Sequence, residues 1–493
     1  MARRTLRARA LLALAGVATA SCAQLLGDDF RIGEAGASGA GGGGGGGGSP
    51  SGGGGGGGGR MGQGGGGGSS GGGGSGGVLE LAIKQIAAGA NATCALLNSG
   101  ELRCWGGGPE LGYGRPLNVG DDETPASVEP VAAGGVVTAV STGGPTCAVF
   151  AGGGVRCWGG NANGELGYGN ASAVGDDEPP SLVGTLSLSG QATQVASGTS
   201  HACALLAGGN VQCWGHGVYG RLGYGSLESV GDDEVPATAG LVGVGERAKQ
   251  IDLGESHSCA LLEGGKVLCW GRNDQGQLGY GHTNVIGDNE APQSSSFLAL
   301  GGEVAQISVG GNHACARLVD GAVRCWGANG YGQLGYGTTT NVGDDERPDQ
   351  LAAPVDLGGA KAIDVGAGYY HTCALLAGGA VRCWGFNASG QLGYGNTNNL
   401  LAPGPALDFG GARAVQLAVG NNHACALFDD GFVRCWGDNG YGQLGYGNTE
   451  NIGDGEPPAA AGAVEVFEAA GGAGGAAGAA GAGASRAGAF ESF

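Results

Sequence analysis

Two cysteines separated by nine intervening residues, with Trp-Gly directly after the second, recur seven times along 493 residues. The pairs are Cys94/Cys104, Cys147/Cys157, Cys203/Cys213, Cys259/Cys269, Cys315/Cys325, Cys373/Cys383 and Cys425/Cys435, and each second cysteine precedes one of the chain's seven tryptophans. In the third copy, opposing Cys203 to Cys213 in an antiparallel ribbon centres the loop on Gly208 and sets Leu205 against Val211. The residue just past the centre is glycine in every copy: Gly100, Gly153, Gly209, Gly265, Gly321, Gly379 and Gly431. A three-residue hairpin loop closes on a left-handed residue there, the conformation glycine adopts without a Cβ penalty. Directly opposed, non-hydrogen-bonded residues lie about 4.5 Å apart at Cα, within disulfide reach. Trp214 then points to the other face, opposite Ala202, a large ring over a small partner.

Successive second cysteines are separated by 53, 56, 56, 56, 58 and 52 residues, a period suited to one four-stranded propeller blade. The sixth copy reads as short strands at Val355-Asp-Leu-Gly, Lys361-Ala-Ile-Asp-Val-Gly, His371-Thr-Cys-Ala-Leu-Leu and Val381-Arg-Cys-Trp-Gly, followed by the loop Asn387-Ala-Ser-Gly-Gln-Leu-Gly-Tyr-Gly. A blade of this kind cannot bury both its faces alone, so neighbours must cover them and seven copies close into a ring. The expected fold is therefore all-β: a seven-bladed β-propeller of four-stranded blades over residues 78–468, each blade with a hairpin disulfide.

The pattern Gly-x-x-His-x-Cys-Ala-Leu…Gly-x-Val-x-Cys-Trp-Gly-x-Asn-x-x-Gly-Gln-Leu-Gly resembles the repeat of the regulator of chromosome condensation family, from about Val78 to Phe467 and in all seven copies. That resemblance implies a seven-bladed propeller. It also implies a range of roles: nucleotide exchange on the small GTPase Ran, eukaryotic binding modules, and secreted bacterial propellers of which one group inhibits β-lactamases. The chain departs from the nuclear members in its two cysteines per blade, its export signal and its acidity, so guanine nucleotide exchange ranks third.

Residues 1–22 read as an export signal, with Arg3, Arg4, Arg7 and Arg9 before an apolar run, Leu11 to Ala18, too short to span a bilayer. Ala18-Thr19-Ala20 suits ordinary signal peptidase, whereas Thr19-Ala20-Ser21-Cys22 resembles a bacterial lipobox, with Thr19 where leucine is usual. Fifteen cysteines less seven pairs leave Cys22 alone, which favours its acylation. Ala23 is not the Asp that resembles an inner-membrane retention signal, so the expected place is the outer membrane or surface of a bacterium, reached only through the lipid anchor. Residues 23–77 are a Gly/Ser-rich tether, and a chain of about 50 such residues spans roughly 40 Å. Residues 469–493 form an Ala/Gly-rich tail expected to be disordered.

Ring closure has two candidates, because Val78-Leu-Glu-Leu and Ala463-Val-Glu-Val-Phe467 both resemble the opening strand of a unit. The expectation is that Val464 to Phe467 pairs beside the first blade's strands.

The formal charge is −20, concentrated in repeated loops, which sets nucleic acid aside as a partner. The loops are Gly120-Asp121-Asp122-Glu123, Gly175-Asp176-Asp177-Glu178, Gly231-Asp232-Asp233-Glu234, Gly287-Asp-Asn-Glu290, Gly343-Asp344-Asp345-Glu346 and Gly453-Asp-Gly-Glu456; the sixth copy has Leu400-Leu-Ala-Pro instead. Clustered carboxylates suit Ca²⁺, and Gly-Asp before proline is also ordinary turn chemistry, so calcium is an open alternative and no other cofactor is expected. His201, His257, His313, His371 and His423, two before the first cysteine, occupy equivalent places on a ring and should diverge, as turn-capping imidazoles bonded to backbone. The tyrosines of Leu-Gly-Tyr-Gly, Tyr113 to Tyr446, are expected to pack between blades. With no Gly-x-Ser-x-Gly, His-Glu-x-x-His or phosphate loop, the sequence points to a monomeric binding propeller for a protein or glycan, without catalysis. An inhibitor-type regulator or a hydrolase is the alternative.

Overall fold

The computed structural model describes residues 82–351 and 353–467; the export signal, Cys22, the tether, Val78 to Leu81 and the tail lie outside them. Seven antiparallel three-stranded sheets follow one another along the chain. Their inner strands are Ile83–Ala88, Val137–Thr142, Ala192–Ser197, Ala248–Leu253, Val304–Val309, Ala362–Ala367 and Ala414–Val419. Each inner strand packs against those of both neighbours, and the first meets the last, so the blades form a closed ring around an axis.

The hairpin register is the one the cysteine spacing dictates. In the third blade Ala202 opposes Trp214, Cys203 opposes Cys213 and Leu205 opposes Val211. All seven pairs are bonded: Cys94 to Cys104, Cys147 to Cys157, Cys259 to Cys269 and Cys373 to Cys383 with Cα atoms 4.1 Å apart, and Cys203 to Cys213, Cys315 to Cys325 and Cys425 to Cys435 at 4.0 Å. Every loop glycine named above has positive φ, from 71° at Gly265 to 88° at Gly321. All seven tryptophans are fully buried. The indole N–H of six donates to a carbonyl in the preceding blade's Gly-Gln-Leu-Gly loop or its variants, as Trp214 does to Glu165 at 2.9 Å.

The fourth strand is where the blade departs from expectation. Its place is held by two single bridges to the outer strand, Val230 to Gly215 at one end and Val242 to Val211 at the other. Between them run the acidic loop and a short Pro236–Ala239 helix. The tyrosine of Leu-Gly-Tyr-Gly fills the gap: the Tyr224 hydroxyl accepts from Cys213 N–H at 3.0 Å and donates to Cys213 C=O at 2.9 Å. One phenol thus does what a fourth-strand residue would do.

The tyrosine hydroxyls bond within their own blades, and the second cysteines, besides forming the expected disulfides, are the backbone anchors of those hydroxyls. Tyr113 donates to Cys104 C=O at 2.9 Å. Cys157 is held by Tyr168, Cys325 by Tyr336, Cys383 by Tyr394 and Cys435 by Tyr446, each through both its N–H and its C=O at 2.9 to 3.2 Å. The physical reason is the outer strand's open edge: with no continuous fourth strand beside it, the peptide groups of these buried cysteines need another partner. Val355 also belongs elsewhere than expected, donating its N–H to Val323 at the outer edge of the preceding blade.

The same geometry corrects the expected ring closure. Val464 bridges Val433 of the seventh blade and is its outer edge; it does not pair beside the first blade's strands. Contact with the first unit comes one residue later, where the Glu465 carbonyl accepts the Ala126 N–H at 2.9 Å.

A belt of carboxamides ties the inner strands together. Gln250 donates to the Ile307 carbonyl at 2.7 Å and accepts the Ile307 N–H at 3.0 Å, in the manner of one more backbone unit. Gln85, Gln194 and Gln306 clasp the next blade likewise, and Gln416 closes the circle by accepting Ile86 N–H at 2.8 Å. The second and sixth blades carry Ala139 and Asp364 there instead.

Candidate functional face

One face of the disc carries the tight turns between inner and middle strands and the loops that follow Trp-Gly, joined by bonds such as Phe386 N–H to Tyr370 C=O at 2.9 Å. Glycine is required in those turns by the histidine three residues on. A Cβ at Gly198 would lie 2.7 Å from His201 Cε1 and 2.9 Å from its Nδ1, and Gly254, Gly310, Gly368 and Gly420 stand in the same relation to their histidines. The Gly-x-x-His spacing is thus a packing rule.

The five histidines occupy equivalent positions in successive blades and are fully buried. They do not cap turns through backbone bonds. His201 Nε2 pairs with the Ser258 hydroxyl of the next blade at 2.9 Å, His313 with Thr372 at 2.9 Å, and His423 with Thr93 at 2.8 Å across the ring's seam. His257 and His371 face alanines there, and their Nε2 atoms, like all five Nδ1 atoms, have no hydrogen-bond partner among the described residues. Burial alone pushes His423 down to about 4 and is the main cause in His257, His313 and His371, each lowered to about 3. These imidazoles are neutral and spread one per blade, an arrangement that serves packing.

Asp121, Asp122 and Glu123 bring ligand atoms within 4.8 Å of one another, as do Asp176, Asp177 and Glu178; Asp232, Asp233 and Glu234; and Asp344, Asp345 and Glu346. Each cluster lies beside the preceding blade's loop, where a Cβ on Gly442 would sit 2.5 Å from Asp121 N. Three partly exposed carboxylates so placed form an oxygen donor set of the kind hard cations take. The same crowding pushes Glu123, Glu234 and Glu346 up to about 7 through partial burial and the adjacent aspartates; in Glu178 the bond to the Asp177 carboxyl is the largest cause.

Around the axis the turns bond in sequence, with Glu255 N–H to Gly311 C=O, Gly311 N–H to Gly368 C=O, Tyr369 N–H to Asn421 C=O and Asn421 N–H to Gly89 C=O. Over them lies a polar set that sequence reasoning missed. The Glu255 carboxylate accepts from the Tyr369 hydroxyl at 3.1 Å and from Asn312 at 3.0 Å, joining three blades. The short Gly310-Gly311 turn leaves room for Tyr369 to cross the fifth blade. Arg221 stands where four other blades have glutamine; it is 5% exposed and donates to the Val218 and Glu255 carbonyls at 2.9 and 3.0 Å. Burial lowers its pKa to about 10. These bonds lock the mouth of the ring. The signal was available: Glu255 follows its turn glycine where the other blades have Ala90, Gly144, Thr199, Gly311, Tyr369 and Asn421.

Three tyrosines at equivalent loop positions, Tyr219, Tyr331 and Tyr441, are 43%, 39% and 49% exposed on this face. Each lies on the next blade. Tyr219, with φ of 65°, has the Arg272 guanidinium 5.5 Å from its ring centre; Tyr331 packs on Tyr370 and Phe386 at 5.0 and 4.8 Å; Tyr441 leans over Gly107.

Comparison with known proteins agrees with this architecture. The regulator of chromosome condensation (RCC1) repeat matches residues 83–110, 192–221, 248–277, 304–333, 362–391 and 414–443 in one form, and 264–317, 320–375 and 378–427 in another. The second blade lies outside both matches and folds alike. The ultraviolet-B receptor UVR8 of Arabidopsis thaliana is 34% identical over 315 residues, which is 63% of this chain and 67% of the receptor. The E3 ubiquitin-protein ligase HERC2 of Homo sapiens is 30% identical over 349 residues, which is 69% of this chain but 7% of the ligase. Among solved structures, Prp20p of Saccharomyces cerevisiae superposes with a TM-score of 0.55 at 23% identity, covering 70% of this chain and 83% of that one. Human WBSCR16 gives 0.52 at 20%, covering 77% and 81%. At those identities the likeness is one of fold.

Proposed function

The chain belongs to the regulator of chromosome condensation (RCC1) repeat family, and on that premise we propose that it is an exported, lipid-anchored propeller that binds a protein or glycan outside the cytoplasm and catalyses no reaction. The observation that carries this reading is the disulfide in every blade. Disulfides persist in oxidising compartments, and a rigid, cross-braced disc is suited to holding a fixed surface for recognition. Binding is favoured over hydrolysis because the turn-face histidines are buried, neutral imidazoles spread one per blade and the Glu255 carboxylate at the mouth is already engaged by Tyr369 and Asn312.

The experiment is fractionation of bacteria expressing the full chain, beside Cys22→Ser, followed by capture from detergent-solubilised envelope with and without Ca²⁺. Wild type should sediment with outer membrane, the variant should be released, and wild type should retain a partner. Free thiols at the fourteen hairpin positions in the recovered protein, or wild type in the cytosolic fraction, would end the proposal. Calcium-dependent capture would assign a metal role to the acidic clusters.

A further inference from the structure

The turn face departs from sevenfold symmetry most sharply where the fifth and sixth blades meet. At six of the seven inter-blade junctions of the rim, a loop glycine of one blade abuts the loop that opens the next blade's outer edge; between the first and second blades Pro109 takes that place. At Gly276 the neighbour is Asp344, and at Gly390 it is Asp454; a Cβ on either glycine would lie 2.3 Å from that aspartate's backbone nitrogen. At Gly332, between those two junctions, the neighbour is Leu401, whose Cα and Cδ2 would both lie 2.6 Å from such a Cβ. The one loop without acidic residues therefore adjoins Tyr331, the residue before Gly332. Tyr331 in turn rests on Tyr370 and Phe386, themselves 6.2 Å apart, and Tyr369 meets Tyr370 at 4.3 Å. Tyr331 is 39% and Leu401 40% exposed, with Tyr370 and Phe386 half-buried beneath.

Loss of acid and gain of aromatic surface thus coincide in space, although Tyr331, Tyr370 and Leu401 are far apart in sequence. The result is an apolar patch with a carboxylate-bearing junction on each side, on a chain of net charge −20. Clustered aromatic residues on a rigid base supply binding energy, and a charged rim selects partners and speeds encounter. We propose that this patch docks a protein segment that presents one apolar or aromatic anchor between basic side chains: the anchor seats on Tyr331, Phe386 and Leu401, and the flanking Lys or Arg meet Asp344 to Glu346 on one side and Asp454 and Glu456 on the other. The proposal rests on the binding reading above and names the partner's chemistry.

The test uses the full oxidised chain and fluorescein-labelled hexapeptides in an anisotropy titration. One peptide carries a central Trp-Leu pair between lysines and arginines, a second replaces that pair with Gly-Ser, and a third replaces the basic residues with Glu. Only the first should bind, with affinity that falls as salt rises. Leu401→Asp and Tyr331→Ala should each weaken it about tenfold or more, while Tyr219→Ala, equally exposed two blades away, leaves it unchanged. Leu401 is a surface position, so that variant should keep the wild-type melting temperature. Equal binding of the Gly-Ser peptide, wild-type binding by Leu401→Asp and Tyr331→Ala, or no binding by any peptide would overturn the patch. Envelope capture at wild-type yield by Leu401→Asp would overturn the patch and leave the binding function standing, whereas failure of wild type to capture anything would count against that function itself.

Discussion

Single residues here carry duties usually given to backbone. Six of the Leu-Gly-Tyr-Gly tyrosines satisfy both polar groups of the second cysteine, as Tyr280 does for Cys269 at 3.1 Å each way. Tyr280→Phe should cost about 1 to 3 kcal/mol, the penalty for leaving a buried peptide group unpaired, read as a lower midpoint in chemical denaturation. Asp364 is an acceptor where its neighbours' glutamines both donate and accept, and burial pushes it up to about 6. A carboxyl raised in the fold stabilises fully below its ordinary value near 4 and ceases to do so as pH rises through about 6. Asp364→Asn should therefore remove a loss of stability between pH 4 and 6 and melt higher than wild type at pH 7.5. The buried histidines act in the opposite sense. His257, His313, His371 and His423, neutral in the fold down to about 3 or 4 but protonated below about 6.5 when unfolded, withdraw stability as pH falls, each by up to about 1.4 kcal/mol per pH unit. His371→Asn, which removes one unpaired imidazole, should flatten the decline in melting temperature from pH 6.5 to 4 relative to wild type.

At the scale of the strand and hairpin, sequence was most informative where its signals were local. Cysteine register, loop glycine and the small residue opposite each tryptophan all lie within one hairpin, and spacing alone fixes their geometry. The fourth strand was misjudged because a short apolar pair such as Val355 and Leu357 looks the same whether it opens one blade or ends the one before. Only the fold shows that a tyrosine beyond each second cysteine has taken over the missing ladder, so that Cys104, Cys157, Cys325, Cys383 and Cys435 are tied down by backbone as well as by sulfur. The glutamine belt was illegible for a related reason: Gln250 has a recurring place in the repeat, but its partner lies 57 residues away. Gln250→Ala should lower the melting temperature, while Ala139→Gln, adding a clasp where the second blade has none, should raise it or leave it unchanged. Each disulfide joins neighbours ten residues apart, so it forms with its own hairpin. Replacing Cys203 and Cys213 with alanine should cost at most ~3 kcal/mol without altering the fold.

For the whole molecule, closure is a matter of repeating one set of contacts a seventh time. The seam between the last blade and the first has the same histidine-to-hydroxyl pair, the same glutamine clasp and the same turn-to-turn bond as seams within the chain. Truncation at Pro458 removes Val464 and Glu465, hence both the last blade's edge and its bond to Ala126, and should lower the melting temperature sharply. Period and cysteine count made the disc predictable. The turn-face aromatics were not, because their meaning lies in which blades adjoin. The interrupted perimeter has a further effect. A row of open amide groups along a straight outer strand would invite another chain to add its own strand, the first step toward fibres. With that row broken by a phenol in every blade and by a proline turn in six of them, many copies crowded together have little to zip onto, and the molecule can be abundant without polymerising.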